Sequence, residues 1–249
     1  MAQDTVSAVV LAAGRGARLG AERNKVFLEV AARPLLWYAL SALGAEPAIG
    51  DVVVVVRAGE EEAAQGVLTS IPREVRIVCG GERRQDSALA GVEAARGRIV
   101  LVQDGARPFP SRDLILRVID GVRRHGACVP VVPTVGTLRY ADGEGFLQEG
   151  SVDRRGLLEM QTPQGFERNV LLRSLRAAER ELTDDAEALL SLGRKVFTVC
   201  GEATNLKVTN KDDLLLAEAI ARALLGRAGG LPSAERERPS RRGLAPGEE

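Results

Sequence analysis

Five consecutive valines, Val52 to Val56, follow Asp51 and end at Arg57. β-branched side chains favour strands, and a run this short is too brief for a helix of its own. The theme repeats along the chain. Val6 to Leu11 is an apolar run soon followed by glycine, and Val75 to Cys79, Arg98 to Gln103 and Ala127 to Val132 are similar. Helical segments are expected between them, at 34–43, 60–69 and 86–95. Ser111 can cap a further helix to about Arg124, with Leu114, Ile115, Val118, Ile119 and Val122 on one stripe. Strands alternating with helices predict an α/β fold: a Rossmann-like, mostly parallel sheet flanked by helices on both faces.

The rhythm breaks after Pro133. Residues 134–156 carry a turn signal, Ala141-Asp142-Gly143-Glu144-Gly145, between short strand-like pieces. This predicts a protruding β-hairpin. Helices are expected again at Asn169 to Glu181, Asp184 to Leu192 and Asn210 to Leu225, with strands near 195–199 and 205–208. From Gly226 onward, eight of 24 residues are Gly or Pro and only two are leucine, so a disordered tail is expected over 227–249. Residues 1–226 then form one domain.

Charge narrows the function. Lys and Arg number 34, as do Asp and Glu, so the formal net charge is zero. That balance disfavours a general nucleic-acid binder. Cys79, Cys128 and Cys200 form no CxxC pair, which disfavours a disulfide framework or zinc site and fits a reducing cytoplasm. The first residues lack signal-peptide character, and no apolar stretch approaches the ~20 residues of a membrane span. A soluble cytoplasmic protein with no membrane partner is expected. The single histidine, His125, lies between Arg124 and Gly126 and reads as a helix C-terminus. A histidine-based nucleophilic mechanism has little material here.

Against this neutral background, the loop at 12–25 concentrates Arg15, Arg18, Arg23 and Lys25 against Glu22 alone, among Gly14, Gly16 and Gly20. Glycines let backbone N–H groups approach an anion, and Arg and Lys meet phosphate directly. The place is right, because ligands of α/β sheets bind beyond the carboxyl ends of strands. A polyphosphate ligand is therefore expected. The Walker pattern is absent. The dinucleotide fingerprint fails at Leu19, and Arg57 closes the next strand where an acid would hold a ribose. Ser87, near a predicted helix start, is suited to an N-cap or to a base edge. Asp104, at the carboxyl end of a strand, is placed to bind a ligand hydroxyl or help hold a metal.

"LAAGRGARLG" with Lys25 resembles the signature of nucleotidyltransferases that join a sugar or polyol phosphate to a nucleoside triphosphate. "GGERRQDSALAG" at 80–91, "DGARP" at 104–108, "SVDRRGL" at 151–157, "QTPQGF" at 161–166, "TDDA" at 183–186 and "NLKVT" at 205–209 are narrower. In this order, over residues 5–225, they resemble the 2-C-methyl-D-erythritol 4-phosphate cytidylyltransferase family. The resemblance implies cytidylyl transfer from CTP to the polyol phosphate, with release of pyrophosphate, in non-mevalonate isoprenoid synthesis. It implies Mg²⁺ or another divalent cation as cofactor, with no metal ligands assigned. It also implies a homodimer in which the 134–156 hairpin is a dimerisation arm.

By the same resemblance, Arg18 and Lys25 stabilise the transition state on the triphosphate, while Arg154 and Lys207 position the attacking phosphate. Ala12, Ala13, Gly14, Gly16, Gly81, Glu82 and Ser87 contact the nucleotide. Asp104, Arg107, Thr137 and Thr183 serve the polyol substrate, and Thr162 matches a further contact. Arg154 and Thr137 would reach a partner's site. Four positions depart from the family pattern: Asn24 stands where proline is usual, implying a less stiff loop, Gly136 and Thr204 where acids are common, and Glu82 where aspartate is usual. Two other readings stay open: ribitol 5-phosphate or another polyol phosphate as acceptor, and a non-catalytic nucleotide-binding protein.

Overall fold

The computed structural model describes residues 5–14, 24–71 and 73–228. Its centre is an eight-stranded sheet. Strand β1 is Val6–Leu11. A short antiparallel pair follows, β2 (Glu29–Val30) and β3 (Arg33–Pro34), and then helix α1 (Leu35–Gly44). The valine run lies in β4 (Ile49–Val56). Next come α2 (Glu61–Leu68), β5 (Arg76–Cys79), α3 (Arg84–Ala94), β6 (Ile99–Asp104), α4 (Arg112–His125) and β7 (Ala127–Pro133). The second half adds β8 (Leu158–Met160), β9 (Gln164–Glu167), α5 (Arg168–Arg176), α6 (Asp185–Leu190), β10 (Phe197–Cys200) and α7 (Lys211–Ala228).

The strand order is β10-β7-β9-β6-β1-β4-β5, with β8 beside β7. β1 pairs in parallel with β4 and β6, and β4 with β5. β9 runs antiparallel between β6 and β7, so the sheet is mixed although mostly parallel. The alternation of side chains builds two layers. Val6, Ala8 and Val10 face α1, α2 and α4, while Val9 and Leu11 face α3, α5 and α6. The valines of β4 divide the same way, which is why one unbroken apolar run suits a strand covered on both faces. Helix α3 lies close on the sheet because Gly91 faces it: a Cβ there would fall 2.3 Å from Val9 Cγ1. A smaller cluster packs α7 through Ala217 and Ala221 against Tyr38, Phe109 and Val208.

Several sequence expectations need correction. Residues 205–208 form no strand; Val208 makes a single backbone bond, its N–H donating to Ala106 O at 2.8 Å. Strands β8 and β9 are additions to the expected set, because three and four residues give too short a period to read. The helix expected from Asn169 to Glu181 stops at Arg176. Helix α7 continues through Ala228, two residues into the stretch expected to be tail. Residues 229–249 lie outside the described residues. His125 does end α4, and Gly126 closes it with φ of 80°.

Between Pro133 and β8 the chain leaves the sheet. Its two limbs run antiparallel, with Gln148 N–H donating to Tyr140 O at 2.9 Å and Val152 N–H to Leu138 O at 3.0 Å. A single bridge, Ala141 to Leu147, is the only ladder pairing within 134–156. Val135, Tyr140, Phe146 and Leu147 are all exposed there.

Candidate active site

A cavity of about 380 Å³ opens at the carboxyl ends of β1, β5 and β6. Parallel pairing aligns these ends: Leu11 is in register with Asp104, and Val56 with Cys79. Ala13 and Gly14 line the cavity after β1, Gly81, Glu82, Arg83 and Arg84 after β5, and Asp104 to Ala106 at the end of β6. Lys25, Lys207 and Thr209 complete the wall. Four cations (Lys25, Arg83, Arg84 and Lys207) face two carboxylates (Glu82 and Asp104). The N-terminus of α3 adds its positive dipole end. Such a site favours an anionic ligand.

Asp104 is the hub. Lys207 Nζ donates to its Oδ2 at 2.6 Å, and Arg84 Nη2 to its Oδ1 at 3.1 Å. The same Arg84 nitrogen donates to Asp185 Oδ2 at 2.8 Å. The backbone N–H of Asp104 donates to Thr162 Oγ1 at 3.1 Å. Burial penalises the charge on Asp104, but Arg84 and Lys207 outweigh it and hold the carboxyl well below the usual carboxylate range. Asp185 is fully buried, and burial pushes its carboxyl up despite Arg84. Burial also works against the charge on Arg84, yet the two carboxylates keep it firmly protonated.

Lys25 begins a single 3-10 turn, Lys25–Phe27, and its Nζ donates to Val208 O at 2.9 Å. The segment carrying Lys207 is therefore tied to the cavity wall on both sides. Asn205, fully buried, donates from Nδ2 to Thr162 O at 2.8 Å and fixes the other end of that segment.

Of the residues singled out in the sequence, Ala13, Gly14, Lys25, Gly81, Glu82, Ser87, Asp104 and Lys207 line this one cavity. Ala12 is buried just behind it. Arg18 and Gly16 lie outside the described residues. Ser87 is not an N-cap: Arg83 holds that position, and Ser87 sits one turn inside α3 with Oγ donating to Gly81 O and Arg83 O, each at 3.4 Å. Arg107 is not in the cavity lining. Its guanidinium donates to Asn205 O at 2.8 Å and Met160 O at 2.9 Å, joining three segments behind the site. Thr183 is exposed, and both its N–H and its hydroxyl donate to Glu187 Oε2 at 2.8 Å. Arg154 and Thr137 are exposed on the excursion, where Arg154 donates to the carbonyls of Val135 and Gly136.

Arg84 and Asp185 carry no role in the sequence reading. One signal is available. A cation at the first position of a helix opposes the macrodipole, so it needs carboxylates nearby. Asp104 and Asp185 supply them from segments far along the chain. No group of three His, Cys, Asp or Glu that could hold a metal occurs among the described residues. Both carboxylate oxygens of Asp104 are already engaged by cations.

A model of the 2-C-methyl-D-erythritol 4-phosphate cytidylyltransferase family matches residues 6–223. Curated proteins of that name are similar over most of their length. The one from Pelotomaculum thermopropionicum is 39% identical over 238 residues, covering 91% of this chain and 100% of its own. The one from Deinococcus radiodurans is 41% identical over 217 residues, covering 86% and 88%. The crystal structure of the Thermus thermophilus protein of that name superposes with a TM-score of 0.73 at 37% identity, covering 88% of this chain and 99% of that one.

Proposed function

The chain belongs to the 2-C-methyl-D-erythritol 4-phosphate cytidylyltransferase family, and on that premise we propose how its residues carry the reaction. The substrate is CTP, and the acceptor is 2-C-methyl-D-erythritol 4-phosphate. An acceptor phosphate oxygen attacks the α-phosphorus, a new P–O bond forms, and the bond to the β-phosphate oxygen breaks. Pyrophosphate takes the electron pair, and CDP-methylerythritol is the product. A phosphate monoester is largely ionised at neutral pH, so no strong base is required. The protein's task is to bring two anions together and stabilise charge on the leaving oxygens.

The supporting observation is that Lys25, Lys207, Arg84 and Asp104, brought from four segments, meet at one cavity. Lys25, with Arg18, meets the triphosphate. The ends of β1 and β5 supply backbone for the nucleotide through Ala12, Ala13, Gly14 and Gly81, and Glu82 and Ser87 face the base. Asp104 accepts from the polyol hydroxyls, and Lys207 holds the acceptor phosphate. The described carboxylates provide no cage for a metal. In this reading Mg²⁺ would come with the triphosphate as part of the substrate and share its negative charge.

Arg154 and Thr137 lie away from this chain's own cavity lining. The excursion that carries them exposes Val135, Tyr140, Phe146 and Leu147. Apolar residues clustered on a protruding arm suit a second copy of the chain. The arm then delivers Arg154 to the partner's acceptor phosphate, and the dimer is the catalytic unit. A cytoplasmic location is supported by three unpaired cysteines, Cys79, Cys128 and Cys200. No described helix is long and apolar enough to cross a membrane.

Pyrophosphate release from CTP and Mg²⁺ tests the reading, with methylerythritol 4-phosphate and ribitol 5-phosphate compared as acceptors. Release with the first and not the second is expected. Release with ribitol 5-phosphate alone, or with neither, overturns it.

A further inference from the structure

Asn24 precedes Lys25 and is only 2% exposed, which is unusual for an amide beside a polar cavity. Every part of that amide is used. Nδ2 donates to Ala12 O at 2.5 Å and to Glu60 Oε2 at 2.9 Å. Oδ1 accepts from Val26 N–H at 3.3 Å, capping the turn that starts at Lys25. The two anchors are themselves fixed. Ala12 N–H donates to Val55 O at 2.7 Å, and Glu60 accepts from Arg57 at the end of β4. Below the turn, Val26 is buried in the core.

We propose that Asn24 is a positioning residue for Lys25, locking it at a set distance from the backbone of Ala12 to Gly14 and from the end of β4. The inference rests on the reading that Lys25 stabilises the transferring phosphoryl group. A charge that acts by preorganisation loses effect when it can drift, even if it stays bonded to the chain. The stiffness comes from the side chain. The backbone of Asn24, at φ −59° and ψ 127°, is one that a proline ring also permits. Asn24→Pro therefore keeps the backbone and deletes the amide. Asn24→Asp keeps the shape but sets an acceptor against Ala12 O and a second negative charge against Glu60.

The experiment measures pyrophosphate release by full-length wild type and the Asn24→Ala, Asn24→Pro and Asn24→Asp proteins, with thermal unfolding to fix the folded fraction. For Asn24→Ala a kcat loss of roughly 10- to 100-fold is expected per folded molecule, with the KM for the acceptor little changed, whereas Asn24→Pro, whose ring itself fixes φ, should lose less. In Asn24→Asp the new carboxyl has a raised pKa beside Glu60, and its protonated form regains one donor. Its kcat relative to wild type should therefore rise as pH falls. Wild-type kcat in folded Asn24→Ala, an Asn24→Pro deficit larger than that of Asn24→Ala, a loss that only tracks the folded fraction, or a pH-independent deficit in Asn24→Asp overturns the inference. An inactive wild type strikes the functional reading and this inference together; an active wild type matched by its variants strikes this inference alone.

Discussion

Lys207 Nζ lies 2.6 Å from Asp104 Oδ2, closing an ion pair between residues 103 positions apart. Asp104 ends a central strand, whereas Lys207 sits in a segment with no ladder of its own. The pair holds a flexible cation to a rigid carboxylate at the rim of the cavity.

Lys25→Ala should lower turnover by roughly 10²–10³, the scale for removing one preorganised charge stabiliser. CTP affinity should fall less, because the other contacts to the nucleotide remain. Steady-state kinetics beside calorimetric titration with CTP separates the two. Unchanged turnover would remove Lys25 from the mechanism.

Asp104→Asn should alter the pH dependence of stability. The folded carboxyl is held below its ordinary value, near about 3.9 in an unfolded chain. Its stabilising contribution is therefore full above about pH 4 and lost as pH falls through the folded value. The Tm gap between wild type and Asp104→Asn should be widest near neutrality and narrow below about pH 4. A gap that stays constant down to about pH 2.5 would contradict the ion-pair account.

Arg84→Ala leaves Asp185, fully buried, without its cationic partner, and takes one of two cations from Asp104. Removing one member of a buried ion pair costs about 3–5 kcal/mol. Urea unfolding should show a loss on that scale, and Asp185→Asn combined with Arg84→Ala should recover part of it. A loss under about 1 kcal/mol would mean that the buried carboxylates are satisfied otherwise.

Mixing an Arg154→Ala chain with a Lys25→Ala chain should restore activity if the arm serves the partner's cavity. Each mutant alone is impaired, but a heterodimer rebuilds one complete site. Activity measured after refolding the two together must exceed that of either refolded alone. No rescue would place Arg154 in its own chain's chemistry or outside it.

The main strands and the helix ending at His125 are legible in the sequence because each rests on local regularity. The valines of β4 and the stripe of α4 need only their neighbours in the chain. Strands β8 and β9 are not legible: at three and four residues they depend on β6 and β7 for their pairing. The segment at 205–208 errs the other way: a strand is expected there, but no ladder forms, and Val208 N–H bonds to Ala106 O alone.

Local chemistry also marks the residues of the site. Glycines beside cations, and a carboxylate ending a strand, identify phosphate chemistry wherever the chain goes. Role is another matter. Arg107 carries the same charge as Lys207 and comes from as distinctive a motif, yet its guanidinium bonds to the carbonyls of Asn205 and Met160. Arg84 draws no notice in the sequence, although it bridges two carboxylates. Asn24 reads there as a weak point in its loop, yet its amide is bonded on all sides.

By itself the sequence determined the alternation of strands and helices, the chemistry of the first loop and the family to which the chain belongs. These follow from short-range pattern and from side-chain type. The tertiary structure decided which cations face the cavity and which brace it, and which carboxylate is shared. Those outcomes depend on burial and on partners up to 183 residues away, as Lys25 and Val208 show. A charge changes its work with its surroundings: in a polar cavity it can meet a ligand, but once buried it must spend its bonds on the protein.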